Sequence, residues 1–81
     1  MIMKTSCELQ KKLDKLPDSI LKDNTIFALF ITKVIWDSKN NKECTWYITY
    51  RDEADNILLE VQHSKLQAAV DNTLAALKQI N

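Results

Sequence analysis

His63 is the only histidine of the sequence and Cys44 is one of two cysteines. A thiol facing an imidazole is the start of a nucleophile–base pair or of a metal site. The strand register read from the sequence sets His63 across from Cys44, which makes the pair worth weighing. A thiolate nucleophile also needs an oxyanion-stabilising environment, and zinc needs further ligands that no other residue supplies. His63 therefore reads as a residue at the end of a strand, beside a helix cap. Cys7 and Cys44 lack the spacing of a CxxC motif and are too few for a disulfide framework, so both read as buried thiols.

Asp52, Glu53, Asp55 and Asn56 crowd together like the oxygen ligands of a calcium loop. The glycine at the sharp turn and the distal bidentate glutamate of such loops are missing, and a solvated hairpin turn is the plainer reading. Glycine is absent from the whole chain. That excludes the phosphate-cradling loops of nucleotide-binding proteins, which need glycine for close backbone approach. It also means that every tight reversal must be made by Asn or Asp. The expectation is a protein that is not an enzyme, with no metal and no cofactor.

Lys33, Lys39, Lys42 and Arg51 flank the first hairpin and, with Lys65, make up a candidate nucleic-acid surface. The charge balance weighs against it, because 11 basic residues are matched by 11 acidic ones and the net charge is zero. A phosphate-binding face normally carries a clear basic surplus.

The strongest feature is apolar. Residues 25–36, TIFALFITKVIW, read as a strand with apolar groups on both faces and a single charge, Lys33. Helices of the same chain can cover one face, which leaves the other in surplus. A two-residue turn at Asn40–Asn41 pairs Trp36 with Thr45 and Val34 with Tyr47 on the outer face, and turns Ile31 and Ile35 inward with Tyr50 and Trp46. An odd-length loop would exchange Phe30–Val34–Trp36 for Phe27–Leu29–Ile31–Ile35 on the outside. In the first arrangement the candidate protein-binding residues are Phe30, Val34, Trp36, Tyr47 and Leu58.

The elements that must position these groups follow from periodicity. Thr5 and Glu8 have capping-box spacing, and Leu9, Leu13, Leu16 and Ile20 form one apolar stripe, giving a helix over about 5–16 that Pro17 ends. A short turn occupies 17–22, and Asp23–Asn24 reverse the chain. Strands follow at about 25–36, 43–51 and 56–62. In the second, Cys44, Trp46, Ile48 and Tyr50 alternate inward. Four loop residues in the acidic turn set Ile57 opposite Tyr50, Leu59 opposite Ile48 and Val61 opposite Trp46. Ser64 and Gln67 open a helix over about 64–80, with Leu66, Ala69, Val70, Thr73, Leu74, Leu77 and Ile80 at helical spacing. The expected fold is a single α+β domain, 1–81, of order α-β-β-β-α. It holds a three-stranded antiparallel meander with both helices mainly on one face.

Ser64-Lys65-Leu66-Gln67-Ala68, with Ala76-Leu77 at the far end, is similar to the start and finish of the second helix of double-stranded RNA-binding domains, and the helix, three strands, helix order resembles theirs. The resemblance implies RNA binding through Lys65. The rest of that family's lysine cluster and its glycine-proline-histidine loop are not in the sequence.

The functional expectation is a small non-catalytic protein-binding domain that occludes its partner through an apolar and aromatic sheet face, with a nucleic-acid-binding module as the alternative. Its composition, rich in Lys, Asn and Ile, looks like that of regulators or inhibitors encoded by phages and mobile elements. The partner is another protein, a second copy or a different chain. No apolar region follows MIMKTSC, and no stretch approaches the about 20 apolar residues of a membrane span, so the expected compartment is the cytoplasm.

Overall fold

A computed structural model of the protein describes residues 3–39 and 41–80, with the side chains of residues 3–7 and 38 outside the description. The elements run α1 (Met3–Asp14), β1 (Ser19–Lys22), β2 (Thr25–Ser38), β3 (Asn41–Arg51), β4 (Ile57–His63) and α2 (Leu66–Ile80). All four strands join one antiparallel sheet in the order β1-β2-β3-β4. The α+β class is as expected, but the meander has four strands where three were expected. The order that carried the likeness to RNA-binding domains becomes helix, four strands, helix.

The added strand comes from the first reversal. Asp23 and Asn24 both have positive φ, 51° and 65°, and they join Lys22 to its cross-strand partner Thr25. Two successive left-handed residues make the tight hairpin turn whose twist suits two β-strands. Residues 19–22, expected as part of a turn, are therefore drawn into register with β2, Leu21 opposite Ile26 and Ile20 opposite Phe27.

β2 and β3 close by pairing Ser38 with Asn41, one residue earlier than the expected Asn40–Asn41 turn; Asn40 lies outside the described residues. Trp36 thus faces Glu43 instead of Thr45, and Val34 faces Thr45 instead of Tyr47. The pairing slides by two positions, and because side chains alternate with a period of two, no residue changes face. Ile31 and Ile35 still point to the helix side, opposite Ile48 and Cys44.

The β3–β4 register slides by the same amount. Val61 pairs with Ile48, Leu59 with Tyr50, and His63 with Trp46, not with Cys44. The acidic turn closes with the Asp52 N–H donating to the Asn56 carbonyl at 3.0 Å, which leaves three residues, 53–55, between them where four were expected. A bulge between Tyr50 and Arg51 absorbs the extra residue. It places Ile57 opposite Arg51 instead of Tyr50, and Ile57 is exposed where an inward position was expected.

α2 packs on β3 and β4, and α1 packs on α2. The core consists of Ile48, Val70, Ala69 and Leu16, flanked by Leu9, Leu13, Leu29, Trp46, Val61 and the leucines of α2. Thr73 is fully buried, and its hydroxyl donates to the Ala69 carbonyl at 2.7 Å, so no polar group is stranded there. Lys12 pairs with Asp71 at 3.1 Å across the two helices. α2 begins with the Lys65 carbonyl accepting from Ala69 N–H, which sets Ser64 one residue ahead of the cap position.

The segment from α1 to β1 is tied down at two points. Tyr50 is fully buried, and its hydroxyl donates to the Pro17 carbonyl at 2.8 Å. Burial, and after it the charge of Asp18, push this phenol up to about 12. The Leu29 N–H donates to the Asp18 carbonyl at 3.0 Å.

Strand lengths are unequal: 14 residues in β2 and 11 in β3, against 4 in β1 and 7 in β4. β1 pairs with β2 only over residues 25–28, and β4 with β3 only over 46–51. Beyond them the β2–β3 hairpin continues as a two-stranded ribbon, and the molecule measures 45 × 33 × 19 Å.

Candidate protein-binding surface

The helices cover one face of the sheet, and among the described residues no element packs on the other. Alternation assigns Leu21 of β1, Ile26, Ala28, Phe30, Thr32, Val34 and Trp36 of β2, and Thr45, Tyr47, Thr49 and Arg51 of β3 to this outer face. Trp36 is 61% exposed, Leu21 71% and Ile26 62%. Val34 and Tyr47 are half-buried by their neighbours. Phe30, opposite Thr49, and Tyr47, opposite Thr32, are diagonal neighbours, and so are Tyr47 and Val34. Trp36 lies further out, towards the hairpin tip. Leu58 occupies the bulge of β4 and is half-buried.

The middle of this face is knit together. The Arg51 guanidinium stacks 4.0 Å from the centre of the Phe30 ring. Thr49 is buried, with its hydroxyl 3.5 Å from the Glu60 carboxylate in the next strand. Next to it an open groove of about 580 Å³ is floored by Ile26, Ala28 and Phe30 and bounded by Arg51, Asp52 and Glu53.

The basic residues are divided between the faces. Arg51 is on the outer face, while Lys33 and Lys42 alternate to the helix side. The Lys33 ammonium lies 5.3 Å from the centre of the Trp46 ring, and Lys42 is opposite Asp37. Lys39 is at the hairpin tip, and Lys65 precedes α2.

The remaining chemically capable groups are engaged locally. His63 Nδ1 accepts from the Lys65 N–H at 3.0 Å, which shapes the entry to α2. Cys44 is a free, half-buried thiol opposite Ile35; the Cys7 side chain lies outside the described residues. The Asp52 carboxylate accepts from Ala54 N–H at 2.9 Å, Asn56 N–H at 2.8 Å and Asn56 Nδ2 at 3.0 Å. The Asn56 bonds chiefly hold its carboxyl below the usual carboxylate range. No cluster of three or more metal-ligating side chains occurs among the described residues, and no helix among them is long and apolar enough to cross a membrane.

Sequence reasoning missed Leu21 and Ile26, two of the most exposed apolar side chains. The signal was available: with Asp23–Asn24 as a two-residue turn, the apolar residues on either side pair directly across it. No family model, no curated protein and no solved structure matches this chain.

Proposed function

We propose that this chain is a small non-catalytic binding domain, acting in the cytoplasm, that occludes a partner protein with the outer face of its sheet, in the manner of regulators or inhibitors carried by phages or mobile elements. The observation that carries this reading is the uncovered outer face, where Leu21, Ile26, Phe30 and Trp36 are all exposed on a sheet whose helices lie on the opposite side. Aromatic and aliphatic groups without cover on a small domain mark a docking surface. The knit centre at Phe30, Thr49 and Arg51 supports it further, since a fixed surface loses little side-chain entropy on docking.

The test is affinity capture from host extract with the wild-type chain, a Trp36→Ala/Tyr47→Ala variant, and a control changed on the helix side at Lys78. A species held by the wild type and the control and lost by the surface variant, whose far-UV circular dichroism is unchanged, supports the reading. Equal capture by all three refutes it. Capture that disappears steeply with added salt or after nuclease treatment would transfer the function to nucleic acid.

A further inference from the structure

The free edge of β2 is self-complementary, and we propose that two copies of the chain join through it, β2 to β2 antiparallel, to form one continuous sheet of both meanders. This goes beyond the outer-face reading, because it rests on the backbone edge and the helix-side charges, and the outer-face residues Val34 and Trp36 enter it only where they meet across the seam.

The backbone sets the first constraint. The Leu29 N–H points to the β1 side, where it meets Asp18. β2 runs without irregularity from Ala28 to Ser38, so Ile31, Lys33, Ile35 and Asp37 direct their N–H and C=O groups to that same side. β1 ends its pairing there, and no described strand takes its place. A long strand edge with open hydrogen-bonding groups is a template for another strand.

Charge then selects the register. A two-fold pairing centred on Lys33 sets lysine against lysine, and one centred on Asp37 sets aspartate against aspartate. Centring on Ile35 places Lys33 of each copy opposite Asp37 of the other, with Ile35 against its own counterpart on the helix side and Val34 against Trp36 on the outer side. Moving the centre one residue towards the tip, to Trp36, brings Lys33 against Lys39. Moving it one residue back, to Val34, drives the hairpin tip into Leu29, whose N–H is already bonded to Asp18. Only the Ile35-centred register satisfies both charge and length, since each tip then ends beside Ile31, just short of where the other copy's β1 starts.

A lysine on an edge strand is ordinarily a guard against such pairing. Asp37, four residues on and on the same face, gives that lysine a partner across the axis. Because the axis is perpendicular to the sheet, the helices of both copies lie on one side, and the two outer faces merge into one.

The test is solution mass by light scattering over a micromolar concentration range. The wild type is expected as a dimer, and Lys33→Glu and Asp37→Lys each weaken the dissociation constant by about tenfold or more, because both symmetry-related pairs become repulsive. The doubly swapped Lys33→Glu/Asp37→Lys chain recovers the dimer. A wild-type monomer throughout the range overturns the proposal, as does a dimer that the single substitutions leave unchanged.

Discussion

Replacing Tyr50 by Phe tests how the first quarter of the chain is fastened to the sheet. The ring is fully buried beside the core, and phenylalanine fills the same space, so no cavity term arises. What is lost is the hydrogen bond to the Pro17 carbonyl, worth about 1 kcal/mol net at neutral pH. The pH dependence supplies a second, independent reading. The folded phenol is pushed up to about 12 from an ordinary 10.0, so the native state keeps a proton that the unfolded chain has already released. Stability from this group is whole below pH 10 and falls away as the pH rises towards 12. The wild type should therefore be the more stable protein at pH 7, by about 1 kcal/mol in urea unfolding followed by tryptophan fluorescence. Its advantage should shrink between pH 10 and 12, a trend the Tyr50→Phe chain lacks. Absorbance at 295 nm identifies the group directly, because the ionisation step missing from the variant should be the one near pH 12. A stability difference that stays constant from pH 7 to 12, or a missing step near pH 10, would show that the hydroxyl is not held in a buried bond and that the Pro17 anchor is not what fixes the approach to β1.

Two further substitutions bracket the energetics. Ile48→Ala removes a side chain with no exposure at the centre of the core and should cost about 2–5 kcal/mol in denaturant unfolding, a large part of the stability of so small a domain; a loss below about 1 kcal/mol would mean that the helices do not pack where described. Asn24→Gly should raise the midpoint by the equivalent of about 0.5 kcal/mol, since Asn24 holds φ at 65° and glycine occupies that region without steric penalty. A drop in stability would mean that the Asn24 side chain contributes to the turn.

The parity of the sheet was legible in the sequence and the registers were not, for a physical reason. Alternation in 44–50 and 57–61 fixes which residues share a face, and a slide of two positions preserves that set. Phe30, Val34, Trp36 and Tyr47 therefore share the outer face in spite of the shift. The slide itself depends on which polar residues close each turn, and DSKNNK offers several closures of similar quality. The bulge beside Arg51 arises from hydrogen bonds of Asp52 that only the folded turn brings together, so the outward turn of Ile57 could not be read ahead. β1 is not legible because Ile20-Leu21 is too short a run to show a strand period, and Ile20 also continues the leucine stripe of the preceding helix. Asp23–Asn24 reads as a reversal from the sequence alone. Reading it as a hairpin turn, with the pairing that such a turn imposes, would have supplied both the strand and the two exposed residues Leu21 and Ile26.

Lengths explain why apolar surface is left over on the helix side of the sheet as well. α2 has 15 residues and reaches about 22 Å at helical rise, whereas the 14 residues of β2 reach about 46 Å at strand rise. A helix of that length cannot cover such a strand whatever its side chains. The hairpin must outrun its cover even on the helix side, and Ile35, whose side chain faces the helices by parity, is 56% exposed. The exposure of Ile35 follows from that mismatch and would persist through any repacking of the core. Removing the ribbon beyond Lys33 and Trp46 would take Ile35 and Trp36 away while leaving the Ile48, Val70 and Leu16 cluster intact, because no residue of that cluster lies nearer the tip than Trp46. The ribbon beyond Trp46 carries none of the buried core, and it is where the outer-face Trp36 and Asp37, the proposed edge partner of Lys33, reside.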